Sequence, residues 1–228
     1  MAKFYIPPTP TYVEAVLEGL AKTYPNAYCE LLYTSPLDLL IATILSAQCT
    51  DVRVNQVTRT LFQHCRTAQD YADISQEELE KLVQSTGFFR AKARHIKGCA
   101  QELLRKHGGE VPNTLDALTQ LPGVGRKTAN VVLGEVFGTP EGIVVDTHVK
   151  RLAGRLGLSA QKSPEKIEQD LVRLLPKKCW TILSHWLIWH GRRRCFARNP
   201  DCSNCELRTL CPSAGLFVKA TTTKKSRR

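Results

Sequence analysis

The chain has 228 residues, 43% of them hydrophobic, enough to bury a substantial core in one large domain or two small packed ones. Its 32 lysines and arginines against 21 acidic residues leave a net charge of +11, which favours a polyanionic partner, either nucleic acid or an acidic membrane surface. No apolar run approaches a membrane span, and Pro7, Pro8 and Pro10 fall where a secretory signal needs its apolar stretch, so a cytoplasmic protein without membrane attachment is expected.

Helix punctuation begins with Ser35 as N-cap and Pro36 at the first helical position. Leu37, Leu40, Ile41, Ile44 and Leu45 follow at helical spacing and predict a deeply buried helix. Ser75 and Glu78 form a capping-box pattern ahead of Leu79, Leu82 and Val83. Ile96, Cys99, Ala100, Leu103 and Leu104 mark another apolar face, ending near Gly108 and Gly109. Ala129, Val132, Leu133, Val136 and Phe137 repeat the pattern before Gly138 and Pro140, and Val149, Leu152, Ala153 and Leu156 do so before Gly157. The strand-like fragment Ile143 to Val145 is too short to found a sheet, and no solenoid period recurs. The expected fold class is all-α. A tail from about residue 218, rich in Thr, Lys, Ser and Arg, is expected to be disordered and to add loose phosphate affinity.

Leu121-Pro122-Gly123-Val124-Gly125-Arg126-Lys127-Thr128-Ala129 is a Gly-rich turn running into an amphipathic helix, a helix-hairpin-helix signature. Gly123 and Gly125 lack a Cβ, so the backbone can take unusual dihedrals and bring its N–H groups to a phosphate, helped by the positive end of the next helix. Such a contact positions DNA without reading its sequence. Lys127 falls in the first turn of that helix, where the macrodipole disfavours a cation and favours the neutral, nucleophilic amine. Taken alone, Lys127 fits a phosphate-binding lysine better than a nucleophile.

In Val145-Asp146-Thr147-His148-Val149-Lys150-Arg151, Asp146 stands where a helix should begin, and an N-cap is its simplest role. A carboxylate fixed at a helix start also keeps its charge and direction, so it can stabilise positive charge developing on a sugar ring. His148 fits a phosphate contact and a satisfied structural histidine equally well. Nine cysteines are an odd number for disulfide pairing. Cys29, Cys49, Cys65, Cys99 and Cys179 are scattered and expected to be buried thiols. Cys195, Cys202, Cys205 and Cys211 are compressed into C-x6-C-x2-C-x5-C, a set that suits zinc or an iron–sulfur cluster. Arg192, Arg193, Arg194 and Arg198 surround the first of them and can present positive charge to a phosphate backbone.

LPGVGRKTA, VDTHVKR and the cysteine spacing together resemble the endonuclease III family, from about Tyr33 to Cys211. The resemblance implies a helix-hairpin-helix DNA glycosylase fold. Residues 29–139 would form a six-helix domain, and 1–28 with 140–228 an N/C-terminal iron–sulfur domain, with a DNA-binding cleft between the two. It implies a bifunctional DNA glycosylase and AP lyase that removes oxidised or ring-saturated pyrimidines from double-stranded DNA and also processes abasic sites. Lys127 would attack C1′ and form a Schiff base, β-elimination would cut the strand 3′ to the lesion, and Asp146 matches the family's essential aspartate. Adenine-specific mismatch relatives usually carry a hydroxyl residue at the position of Lys127, so the lysine favours lyase activity.

The same resemblance assigns a [4Fe-4S] cluster to Cys195, Cys202, Cys205 and Cys211. DNA contacts fall to Gln48, Phe88, Gly123, Val124, Gly125, Arg126, Thr128, His148 and Arg198, with Gln48 filling the space of the extruded nucleotide and Phe88 acting as an apolar wedge. Phe88 is bulkier than the leucine often found there, Cys49 stands where alanine is common, and Thr119 replaces an acidic residue. Those departures bear on lesion range and opposite-base preference. A monomer at the bacterial nucleoid is expected. Competing readings are a mismatch or photodimer glycosylase of the same superfamily, and a non-catalytic DNA-binding protein whose cluster serves structure or redox sensing.

Overall fold

The computed structural model describes residues 7–217, and the basic tail from about residue 218 lies outside them. Helices run α1 (Pro10–Thr23), α2 (Pro36–Leu45), α3 (Asp51–His64), α4 (Ala68–Asp73), α5 (Gln76–Val83), α6 (Phe89–His107), α7 (Leu115–Thr119), α8 (Arg126–Glu135), α9 (Thr147–Arg155), α10 (Pro164–Leu174) and α11 (Trp180–Arg193). No strand forms among the described residues, and Ile143 to Val145 is irregular backbone. The chain divides into two compact units: Cys29–Glu141, and Met1–Tyr28 with Gly142–Arg228.

In the Cys29–Glu141 unit, α2 is apolar on every side, and all its residues from Leu37 to Leu45 are buried. A helix hydrophobic all round is stable only where other helices enclose it, and α3, α6 and α8 pack on this one. Ser35 caps it by accepting from the Asp38 N–H, while Asp38, itself buried, accepts from the Thr34 N–H at 3.0 Å and its hydroxyl at 2.7 Å. The unit carries seven helices where six are expected, because α4 and α7 are separate short segments of six and five residues. Ser75 caps α5 through the Glu78 N–H, but the reciprocal capping box forms at Thr67 and Asp70, ahead of α4. Aspartate, one methylene shorter than glutamate, is easily overlooked in that motif.

In the other unit, Val13, Val16 and Leu20 of α1 join Val149, Leu152 and Ala153 of α9 and Leu183 and Leu187 of α11 in a second core. The N-terminal helix is anchored to the cysteine loop. Tyr12 Oη lies 2.7 Å from the Leu156 carbonyl and 3.2 Å from that of Leu210. A Cβ on Gly19 would come within 2.6 Å of Leu207 Cδ2, so helix and loop meet backbone to side chain at that glycine.

Candidate active site and cysteine loop

The hairpin joins α7 to α8. Gly123 has φ +79°, and a Cβ there would lie 2.7 Å from His95 Cβ, so both conformation and space demand glycine. Gly125 departs from the expectation of unusual dihedrals. Its φ of −91° and ψ of 173° are ordinary N-cap geometry, and a Cβ would meet no protein atom within 4 Å. The open space lies at the start of α8, where backbone N–H groups have no helical partner. The Val124 side chain is buried in the core and its N–H bonds the Leu121 carbonyl at 3.1 Å. Arg126, Lys127 and Thr128 form the first turn of α8, with Arg126 and Lys127 exposed and Thr128 half-buried. Arg126 Nη2 also donates to the Glu141 carbonyl at 3.2 Å.

Asp146 is the N-cap of α9 and accepts from the Val149 N–H at 2.8 Å. His148, one turn along, is partly buried, and Arg151 Nη2 lies 3.1 Å from its Nδ1. Burial holds the His148 pKa below the ordinary value, with Asp146 opposing and Arg151 and Arg192 reinforcing the shift. Arg151 continues the chain of bonds, donating from Nη2 to the Gly191 carbonyl at 3.0 Å and from Nε to the Cys195 carbonyl at 3.1 Å. A Cβ on Gly191 would sit 2.6 Å from His148 Nδ1, so α11 approaches this pair only through a glycine.

None of the nine cysteines is in a disulfide. Of the five scattered ones, Cys65 and Cys99 are buried as expected, but Cys29, Cys49 and Cys179 are only half-buried. Cys195, Cys202, Cys205 and Cys211 line a single pocket with Arg155 and His190. Among the described residues, no three His, Cys, Asp or Glu side chains gather closely enough to hold a single metal ion. The thiols share a pocket rather than a point. Two polar side chains face the sulfurs: Arg155 Nη1 donates to Cys195 Sγ at 3.2 Å, and His190 Nε2 lies 3.5 Å from Cys205 Sγ while its Nδ1 meets the Tyr24 hydroxyl at 3.0 Å. Burial lowers the pKa of His190 to about 4 and raises that of Cys205 to about 11.

The arginine run is less uniformly available than its sequence suggests. Arg194 pairs with Glu206 at 3.0 Å and Asp201 at 3.4 Å, and the Arg193 guanidinium stacks 3.9 Å from the centre of the Trp189 ring. Arg198 is exposed.

Gln48 and Phe88 are both exposed, and both have left-handed backbone, with φ of 54° and 49°. Sequence reasoning missed the residue beneath them. Lys92 is 4% exposed, and its Nζ donates to the carbonyls of Leu45 and Thr86, each at 2.8 Å. Helical spacing held the signal, because Lys92 falls between Phe89 and Ile96 on the apolar stripe of α6.

A left-handed glycine turn leading into an open helix start, on an all-helical chain with a four-cysteine pocket, defines a helix-hairpin-helix DNA-binding protein. The chain belongs to the HhH-GPD superfamily of base excision DNA repair proteins, which it matches over residues 41–177. It is 52% identical over 199 residues to endonuclease III of Synechocystis sp., covering 87% of this chain and 91% of that relative. Among solved structures, it resembles a non-covalent endonuclease III–DNA complex with a TM-score of 0.89 and 44% identity, over 93% of this chain and 99% of the other. A trapped endonuclease III–DNA covalent intermediate matches with a TM-score of 0.88 and 44% identity, over 92% and 99%. The protein is therefore a base-excision-repair enzyme, a DNA glycosylase with AP-lyase activity. No helix among the described residues is long and apolar enough to cross a membrane.

Proposed function

We propose that this chain, acting as a monomer on nucleoid DNA in the cytoplasm, excises oxidised pyrimidines from duplex DNA and cuts the strand with Lys127 as nucleophile. One observation carries the reading most strongly: the exposed Lys127 stands in the first turn of the helix whose N-terminus, at Gly125, has no side-chain cap and open space beside it for a phosphate. A turn that grips the backbone beside a lesion brings the amine to the adjacent sugar. The Lys127 nitrogen bonds C1′ as the C1′–base bond breaks and the departing base takes a proton. Opening of the sugar ring gives the Schiff base, loss of a C2′ proton expels the 3′ phosphate, and water returns the lysine. Asp146, held in direction by the Val149 N–H, supplies the carboxylate that stabilises the positive charge developing on the sugar.

Gln48 fills the gap left by the extruded nucleotide, and Phe88 wedges the opposite side, a role supported by the exposure of both. Thr128, Arg126 and Arg198 contact the backbone. The four cysteines fit a [4Fe-4S] cluster: all four line one pocket, and the Arg155 guanidinium donates to the sulfur of Cys195. When bound, the cluster ties four points of the 195–211 loop together and takes no part in bond breaking. The deciding experiment is borohydride trapping on abasic duplex DNA. The wild-type chain becomes covalently attached and Lys127→Gln does not, although it still binds; trapping by Lys127→Gln would assign the nucleophile elsewhere.

A further inference from the structure

Among the described residues, the non-glycine positions with positive φ are Gln48, Phe88 and Asn199. The first two are the wedge residues, and 68% of Phe88 is exposed. Left-handed backbone is unfavourable for any residue with a Cβ, so something must hold these tips. Lys92 touches both loops. Leu45 closes α2 three residues before Gln48, and its carbonyl accepts from Lys92 Nζ; the nearby Cys49 N–H turns instead to Ser46, at 3.1 Å. Thr86 ends the 3₁₀ turn two residues before Phe88, and its carbonyl accepts from the same Nζ. The Lys92 N–H bonds the Phe88 carbonyl at 3.1 Å, the first i→i−4 bond of α6, so the same residue also ties the start of its own helix to Phe88.

We propose that Lys92 is a positioning residue that clamps the Gln48 and Phe88 loops together, so that both side chains meet the duplex as one pre-formed wedge; this rests on the wedge roles given above. A wedge ordered beforehand spares the enzyme the cost of ordering two loops at the moment of extrusion. Simple packing does not account for the residue. A methionine would fill similar volume without desolvating an ammonium, whereas this lysine is buried despite its charge, and burial pulls its pKa below the ordinary value. Its placement at the C-terminal end of α2 gives that charge an electrostatic partner in the unsatisfied carbonyl and the helix dipole.

The test is single-turnover kinetics of Lys92→Met on a paired damaged base and on an abasic site, with 2-aminopurine fluorescence opposite the lesion reporting extrusion. Base excision and the fluorescence change should slow by about tenfold or more, while abasic-site cleavage slows by less than about threefold. Combining Lys92→Met with Gln48→Ala should cost no more than about the worse single change, because the clamp acts through the wedge. Equal losses on both substrates, or multiplied losses in the double variant, would overturn the clamp. Gln48→Ala and Phe88→Ala test the wedge itself: without a bias against the paired base in those variants the wedge reading fails, and with it the clamp. A bias there but none in Lys92→Met defeats the clamp alone. If Lys92→Met does not fold, Lys92→Gln carries the same comparison with the same expected bias, since its shorter amide reaches at most one of the two carbonyls.

Discussion

The two glycines of the hairpin invite a paired perturbation, because a Cβ is blocked at Gly123 and meets open space at Gly125. At Gly123 a Cβ meets the left-handed penalty of roughly 1–2 kcal/mol. It also approaches His95 Cβ at 2.7 Å and Cγ at 3.0 Å, the root of a side chain rather than its movable end. Overpacking of that kind costs about 1–3 kcal/mol, so Gly123→Ala should destabilise by roughly 2–5 kcal/mol and lower Tm by several degrees. Gly125→Ser meets neither obstacle. Its φ of −91° and ψ of 173° suit an N-cap serine, and nothing lies within 4 Å of the new Cβ, so stability should hold or rise by a few tenths of a kcal/mol. The serine hydroxyl would take the N–H of Lys127 or Thr128 that the hairpin offers to a phosphate, and its Cβ would occupy the path of approach. Losing one charge-assisted hydrogen bond should weaken duplex binding by roughly 10–100-fold for every sequence. Thermal melting and fluorescence anisotropy on undamaged duplex measure the two effects separately. Wild-type affinity in Gly125→Ser would remove the hairpin from DNA binding, and an unchanged Tm in Gly123→Ala would refute the steric reasoning.

Asp146→Asn should melt within about 0.5 kcal/mol of wild type, because asparagine caps helices as well as aspartate, while single-turnover base excision falls on the order of 100-fold or more; a near-native rate would reduce Asp146 to its cap. Cys202→Ser should lose iron, sulfide and the brown colour of a cluster protein, together with Tm, and anaerobically prepared protein holding stoichiometric zinc and no iron would reject the cluster. His148 should contribute to acid sensitivity. Its folded pKa lies below the unfolded value of about 6.5, so the unfolded chain binds the extra proton, and stability present above that pH is lost as pH falls below it. Comparing denaturant unfolding of wild type and His148→Gln across that window isolates the contribution from that of His190, and identical pH slopes would rule it out.

Much of this molecule is legible in the sequence because its signals are local. Ser35 with Pro36, and Gly108 at the end of α6, mark helix boundaries through hydrogen bonds made within five residues, and the structure shows both caps. Asp146 as a helix start is likewise readable from its neighbours alone. What escapes is decided by distant partners. Gly123 and Gly125 look equivalent in the sequence, and only the placement of His95, on another helix, makes one a steric requirement and leaves space beside the other. Arg194 looks like free positive charge until Glu206 and Asp201 fold against it. Lys92 shows the limit most clearly: a lysine between two arginines looks like a solvated face, and its burial depends on carbonyls left without helical partners at Leu45, 47 residues away, and at Thr86. Hydrophobic periodicity places it on the inner stripe of α6, so a charged residue at a core position of a regular helix is a reason to search for unpaired backbone acceptors. Here those acceptors lie just ahead of the two loop tips with left-handed backbone, Gln48 and Phe88.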